Sequence, residues 1–360
     1  MTDKQYMQRV LRLAKKGKGR VSPNPLVGAV IVKDGSIVGE GYHKEFGGDH
    51  AEIAALKAAG SKAKGAALYC NLEPCSYWGK TPPCTDAVIS ARMRNVIVGM
   101  QDPNPLVNGR GIRKFRKNGI DVKVSVLENE CKALNAFYSK YITTKLPFVT
   151  VKMAQSLDGK IAKKANTRTQ LTAEKAQRFV HSLRAEYDAV LIGKKTAVID
   201  NPLLTPRLIS GRVPARIILD THLECKPSLK IFDTAELGSI YIATASQDDE
   251  RKKHFRKKGI GIIQVNTDET GSLHLPELLT ELGERQIISL LVEGGAEVFT
   301  CFLRERLVDQ IILLIAPYLF GEGVNVMDKF GANGLIVELK DISRKQLGQD
   351  YMIVGTPVYR

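Results

Sequence analysis

Residues 50–59 read HAEIAALKAA and residues 73–84 read EPCSYWGKTPPC, and these two stretches decide the fold of the first half of the chain. Gly47 and Gly48 break the segment before the first stretch and Gly60 follows it, so His50 to Ala59 is expected to be a short helix rich in Ala and Leu. His50 and Glu52 then fall in its first turn. Thr81, Pro82 and Pro83 read as the cap and first-turn prolines of a second helix that carries Cys84 at its start. A helix start favours an anion, which predicts an ionised Cys84 thiol.

One imidazole and two thiolates, from His50, Cys75 and Cys84, are the protein ligands of an open zinc site that leaves the fourth position to water. Such a water ionises near neutral pH, and the resulting hydroxide can attack a ring carbon that bears an exocyclic amine. Glu52 is the proton shuttle of this pattern. Residues two apart on a helix do not share a face, so the imidazole can hold metal while the carboxylate reaches round to the open position. The pattern implies a zinc deaminase. The competing reading, buried thiols and a surface histidine spaced by accident, must produce His-Ala-Glu and Pro-Cys together. Eight residues separate Cys75 from Cys84, where many zinc deaminases have two, and the longer loop from Ser76 to Thr81 is a place to hold substrate.

Working outward, the preceding segment reads as a helix capped by Asp3, with Tyr6, Met7, Val10, Leu11 and Ala14 on one face, and then a hairpin of strands 27–32 and 37–40 turned at Asp34 and Gly35. Strands at 66–72, 95–99 and 122–126 and a helix starting near Gly109 complete a mixed sheet with helices on both faces. Residues 128–145 read as one closing helix, and Pro147 marks a boundary, giving domains 1–146 and 147–360. The second half alternates strands at 148–153, 189–192, 216–219, 240–243, 260–265, 287–292 and 310–315 with helices such as 173–184 and 296–304, which makes it a second α/β domain. Asp248 to Lys258 reads as a solvated helix face. Gly294 and Gly295, at a strand end that opens a helix, can bring backbone amides to a phosphate, or simply make a tight turn.

The chain has 360 residues and a net charge of +15. Residues 1–146 hold 24 Lys and Arg against 12 Asp and Glu, and residues 147–360 hold 29 against 26. A basic half suits a phosphorylated small molecule or a nucleic acid, and equally a solvated face such as Arg113, Lys114, Arg116 and Lys117. Aromatic residues are only 6% of the chain and show no stacking platform, which argues against single-strand binding. There is no run of 18 apolar residues and no apolar signal core near Thr2, so no membrane partner and a cytoplasmic location are expected. There the thiols stay reduced, and Cys70, Cys131, Cys225 and Cys301 read as structural.

The whole chain resembles the bifunctional deaminase–reductase family of riboflavin biosynthesis. The residues that carry the resemblance are Pro23, Asn24, Pro25, Val27 and Gly28; His50 to Glu52; Glu73 to Ser76 with Gly79 to Cys84; Asp102 to Pro105; and Gly109 to Gly111. In the second half they are Ser156 to Lys160, Asp200 to Arg207 and Glu293 to Gly295, and the eight-residue cysteine spacing is typical of the family.

The resemblance implies a cytidine deaminase-like three-layer α/β/α domain followed by a dihydrofolate reductase-like α/β domain. The first domain would remove the exocyclic amine of a pyrimidine ribosylamino 5′-phosphate, and the second would reduce the ribosyl chain with NADPH. It implies Zn2+ on His50, Cys75 and Cys84, proton transfer by Glu52, and a deaminase pocket lined by Asn24, His43, Ser76 and Lys80. It places the cofactor at Ala154, Thr196, Asp200, Gly295, Ala296, Glu297 and Val298, and the reductase substrate at Arg184, Leu204, Arg207 and Glu293. Two arginines there suit a phosphate, and Arg184 equally suits a solvated helix face. A homo-oligomer built through the reductase domain is also expected. The chain departs from the family at Tyr77, where His is usual, at Arg168 and Lys195, where small residues are usual, and at Gln170, where Trp is usual. A deaminase-only enzyme, whose second domain binds a ligand or assembles the protein without reducing anything, is the alternative.

Overall fold

The computed structural model describes residues 1–78, 82–327 and 334–360. The chain divides into two compact units, Met1–Lys145 and Leu146–Arg360.

The first unit runs α1 Asp3–Ala14, β1 Gly28–Lys33, β2 Ser36–Tyr42, α2 Ala51–Ala59, β3 Ala67–Leu72, α3 Cys84–Ser90, β4 Asn95–Met100, α4 Arg110–Lys117, β5 Asp121–Lys123, α5 Glu128–Leu134 and α6 Ala136–Thr144. Its sheet has the order β2-β1-β3-β4-β5, with β1 antiparallel to both neighbours and β3, β4 and β5 parallel. The hairpin turn holds Asp34 and Gly35 at positive φ, the geometry that suits strand twist.

Glycines show how the layers stack. A Cβ on Gly28 would lie 2.4 Å from the Val10 carbonyl of α1, and one on Gly41 would lie 2.4 Å from the Ala51 carbonyl of α2. Gly41 pairs with Ala29, and successive strand residues point to opposite faces. The two helices therefore cover opposite faces, and the unit is a three-layer α/β/α sandwich. Gly41→Ala is expected to push α2, and with it His50 and Glu52, off the sheet at a cost of about 1–3 kcal/mol. Scanning calorimetry of the full chain checks this, and an unchanged melting temperature would contradict it.

Three local expectations are corrected. Thr2, not Asp3, caps α1: its hydroxyl accepts from the Gln5 N–H while the Gln5 side chain accepts from the Thr2 N–H. Asp3 is engaged by the Tyr69 hydroxyl at 2.8 Å and Lys123 Nζ at 2.7 Å. β5 stops at Lys123 because Ser125 and Leu127 take positive φ. The closing helix is two helices, broken at Asn135, whose side chain accepts from the Leu26 N–H (2.8 Å) and donates to its carbonyl (3.0 Å). Asn71 donates to the same carbonyl and accepts from Gly28 N–H, so two buried amides fix the chain just after Asn24.

The second unit runs β6 Phe148–Ser156, β7 Lys160–Ala162, α7 Glu174–Glu186, β8 Ala189–Gly193, α8 Lys194–Asp200, β9 Ala215–Leu219, β10 Ile240–Thr244, α9 Asp249–Lys257, β11 Gly261–Gln264, α10 Leu275–Glu284, β12 Ser289–Val292, α11 Ala296–Arg304, β13 Gln310–Ala316, β14 Val324–Asn325, β15 Val337–Leu347 and β16 Asp350–Tyr359. The large sheet has the order β11-β10-β9-β8-β12-β6-β13-β16-β15. It is parallel from β11 to β13 and antiparallel in the last two strands, an arrangement of the dihydrofolate reductase-like class. The β15–β16 hairpin was not foreseen. β15 is an edge strand, mostly exposed, and its bulge between Lys340 and Ser343 interrupts the period-two pattern that marks a strand. α9 is not simply a solvated face, because Lys252 and Phe255 are buried and Phe255 packs on Phe232 at 5.3 Å.

Candidate active sites

In the first unit, His50 is the N-cap of α2, Cys75 follows the end of β3, and Cys84 opens α3 with Pro83 as its cap. His50 Nδ1 lies 3.2 Å from Cys84 Sγ and 3.6 Å from Cys75 Sγ, and all three ligand atoms fall within 4.8 Å of one another. Zinc bond lengths in a tetrahedron put nitrogen and sulfur roughly 3.6 Å apart, so the donor set fits the ion in both chemistry and size. The Cys84 N–H donates to Cys75 Sγ at 3.3 Å and the Thr85 N–H to the Cys75 carbonyl at 3.1 Å, which closes the loop between the cysteines at its base.

The start of α3 also acts on Cys75, because the Cys84 N–H points at its sulfur. The Cys84 thiol that donates to it pulls Cys75 below the usual thiol range, against its burial, and His50 and the Cys84 N–H add to the pull. Cys84, donor in that bond and buried, is pushed up. Glu52 is 3% exposed, and burial, with the Cys75 charge second, raises its carboxyl to about 7. A buried carboxyl poised there can both take and return a proton at neutral pH.

Asn24 and His43 join this site: Asn24 Nδ2 donates to His43 Nε2 at 3.0 Å, while His43 Nδ1 donates to the Asp49 carbonyl at 3.0 Å. Both ring nitrogens are thus committed. Burial lowers the His43 pKa, and its ring stands edge-on to His50 at 5.6 Å. Ser76 is partly exposed beside Cys75, and Lys80 lies outside the described residues. Trp78 is 75% exposed, and Tyr77 is bonded to the Asn104 side chain.

Glu73 was read only as part of a motif, yet it organises this end of the sheet. Its buried carboxylate accepts from four backbone amides, those of Asp102 (3.2 Å), Gly109 (2.9 Å), Gly111 (2.9 Å) and Ile112 (3.2 Å). A Cβ on Gly111 would sit 2.5 Å from the Pro74 carbonyl, so glycine is required for this approach. Asp102 in turn takes the Tyr138 hydroxyl at 3.0 Å and the Asn104 N–H at 2.8 Å. The available signal was a carboxylate two residues before a metal ligand.

In the second unit, a cleft of about 870 Å³ is lined by Ala154, Thr196, Asp200 and Gly295 to Val298, all seven of the expected cofactor positions, and also by Glu293. It opens over the carboxyl ends of β8, β9 and β12, the side of an open α/β sheet where ligands bind. A Cβ on Gly294 would meet Val298 at 2.7 Å and one on Gly193 the same side chain at 2.8 Å, so these glycines let α11 approach β8. The cleft and its glycine loop suit a dinucleotide.

Glu293 is the hub of the substrate positions. Arg184 grips it with Nε at 2.7 Å and Nη2 at 2.9 Å, and Lys152 lies 3.1 Å away. Arg184 is therefore neither a solvated residue nor a free phosphate fork, whereas Arg207 is exposed. Burial works against the Glu293 charge, but Arg184 and Lys152 outweigh it and hold the carboxyl down at about 2. Lys152 was missed, although a lysine inside an apolar strand is a signal. Leu204 is buried at positive φ, and beside it His181, 4% exposed, accepts from the Leu208 N–H at 3.2 Å. Burial, then Arg184 and Arg207, depress His181 to about 4. Gln170, in the aromatic's place, lines the cleft and donates to the Thr172 carbonyl at 3.1 Å. Lys195 is paired with Glu297 at 2.8 Å.

Both groups have folded pKa values below their unfolded ones, so the unfolded state binds more protons and stability falls with acid. The His181 contribution is lost as pH falls from 6.5 toward 4, and that of Glu293 from 4.5 toward 2. The latter is worth about 3 kcal/mol. Thermal midpoints of the full chain are expected to drop between pH 6.5 and 3, and a flat profile would contradict the Glu293 hub.

The fold and the two sites define a zinc-type deaminase joined to a reductase. Residues 1–100 match the cytidine and deoxycytidylate deaminase zinc-binding region, and residues 147–353 match the RibD C-terminal domain. The chain is 43% identical to riboflavin biosynthesis protein RibD of Aquifex aeolicus over 98% of this chain and 97% of that one. It is 40% identical to that of Escherichia coli over 89% of each. The solved diaminohydroxyphosphoribosylaminopyrimidine deaminase/5-amino-6-(5-phosphoribosylamino)uracil reductase of Thermotoga maritima superposes with a TM-score of 0.87 at 38% identity, covering 99% of both chains. Acinetobacter baumannii RibD gives 0.87 at 33% identity, again over 99% of both. The chain belongs to the riboflavin biosynthesis protein RibD family, the bifunctional deaminase–reductases. No helix among the described residues is long and apolar enough to cross a membrane.

Proposed function

We propose that residues 1–146 hydrolyse the exocyclic amine of 2,5-diamino-6-ribosylamino-4(3H)-pyrimidinone 5′-phosphate. Residues 147–360 then reduce the product with NADPH to 5-amino-6-ribitylaminouracil 5′-phosphate. The observation that carries this reading is the convergence of His50, Cys75 and Cys84 with a buried Glu52 beside them. When bound, zinc supplies a water acidic enough to attack at neutral pH. Glu52 takes the proton of the attacking water and returns it to the leaving amine. Asn24 and His43, each held in one hydrogen-bonded orientation, bind the pyrimidine together with Ser76, and Lys80 is assigned to its phosphate from the family motif alone.

In the reductase, Thr196, Asp200 and the loop from Gly295 hold the cofactor, and Arg207 and Leu204 hold the ribosyl phosphate. Lys152, oriented by Glu293, offers a proton to the ribose oxygen as hydride reaches the carbon. The enzyme is read as cytoplasmic and as a homo-oligomer through its reductase domain, a reading supported by the exposed eleven-residue edge strand β15. Mass spectrometry of the diaminopyrimidine after incubation with zinc-loaded protein tests the whole. Amino-to-oxo exchange, followed only with NADPH by a gain of two hydrogens, is expected. Exchange without that gain would leave a deaminase alone.

A further inference from the structure

The order of the large sheet fixes which way a dinucleotide lies in the cleft. With its diphosphate at the start of α11 and its reactive ring toward Lys152 on β6, the adenosine half must cross the ends of β8 and β9, the next strands on the other side of β12. The lining residues there are Lys194, Leu219, Thr221 and His222. Lys194 is ion-paired with Glu224, an exposed carboxylate two residues past His222. That carboxyl is pulled below its usual range by the bond to Lys194, and His222 and Arg251 add to the pull. Arg251 also donates to the Cys225 carbonyl at 3.5 Å, which brings the start of α9 to the same end of the sheet. The other acid nearby, Asp220, is 1% exposed and accepts from the Cys225 N–H at 2.6 Å. One surface carboxylate thus sits among three basic side chains at the place where an adenosine ribose would lie.

We propose that Lys194, supported by His222 and Arg251, binds the 2′-phosphate of the cofactor and gives the enzyme its preference for NADPH over NADH, with Glu224 holding the ammonium in place until the phosphate displaces it. This rests on reading the C-terminal unit as a nicotinamide-dependent reductase. It assigns a role to a lysine that sequence reasoning had passed over. A phosphate with a second negative charge replaces a monoanionic carboxylate, so the exchange favours the phosphorylated nucleotide.

Calorimetric titration of the full-length protein with adenosine 2′,5′-bisphosphate, AMP, NADPH and NADH tests it without turnover. Wild type is expected to bind each 2′-phosphorylated ligand about ten- to hundredfold more tightly than its partner. Lys194→Met should close most of that gap and leave AMP and NADH unchanged. Glu224→Gln should widen it about two- to fivefold, because the competing carboxylate is gone. An unchanged gap in Lys194→Met, or equal weakening of all four ligands, overturns the proposal while leaving the reductase reading intact. Wild type that binds none of the four overturns that reading and the proposal with it.

Discussion

Glu52→Gln is expected to retain one zinc ion per chain and to lose deamination by about 10²–10⁴-fold in kcat. The amide is isosteric, so the packing around a side chain that is 3% exposed survives. None of the three ligand atoms is removed, and what disappears is a group that can accept and return a proton. NADPH-dependent reduction of separately supplied deaminated substrate is expected to continue at the wild-type rate, because the variant leaves the C-terminal unit's residues untouched. Zinc analysis and the two half-reactions measured side by side decide the matter. Full deamination by the variant would assign the proton transfers to another group.

The second large effect is expected at Glu73. Removing its carboxylate in Glu73→Ala strands four backbone amides that now share it, in a region with no exposure to spare. Charged hydrogen bonds of this kind are worth about 1.5–3 kcal/mol each, and a loss of roughly 3–5 kcal/mol is expected once relaxation is allowed. The effect should reach the metal, because Glu73 is covalently next to Pro74 and Cys75. Zinc affinity is expected to fall about 10–100-fold, the range typical of residues that orient ligands from behind. Glu73→Gln keeps one acceptor oxygen and should fall between. Competitive chelation reads the affinity, and wild-type zinc binding by Glu73→Ala would show that the amide cluster is structural only.

The metal site was legible in the sequence because its chemistry is tied to residue type: few residues bind zinc, and His50, Glu52, Cys75 and Cys84 stand at an interpretable spacing. The helices and parallel strands were legible because each is long or apolar enough to show its period. What escaped was tertiary. Nothing local says that Glu73 gathers amides from residues 102–112, or that Lys152 and Arg184 meet on Glu293. Arg184 was read with a phosphate as its partner, and the structure gives it a carboxylate, since a guanidinium fork fits both equally. The break at Asn135 has the same origin, an amide needed by Leu26 more than a hundred residues away.

The closure of the Cys75–Cys84 loop at its base separates two things that evolution must vary independently. With the Cys84 and Thr85 amides bonded back to Cys75, the anchoring of the ion depends on the neck and not on the residues strung between. Doubling the length of such a loop costs only about 0.6 kcal/mol in closure entropy. Insertions, deletions and changes such as the tyrosine at 77 can therefore accumulate there without disturbing the hydrolytic machinery. New amine-bearing rings become accessible by rewriting the stretch between the two cysteines, and reactivity is inherited unchanged while molecular taste drifts.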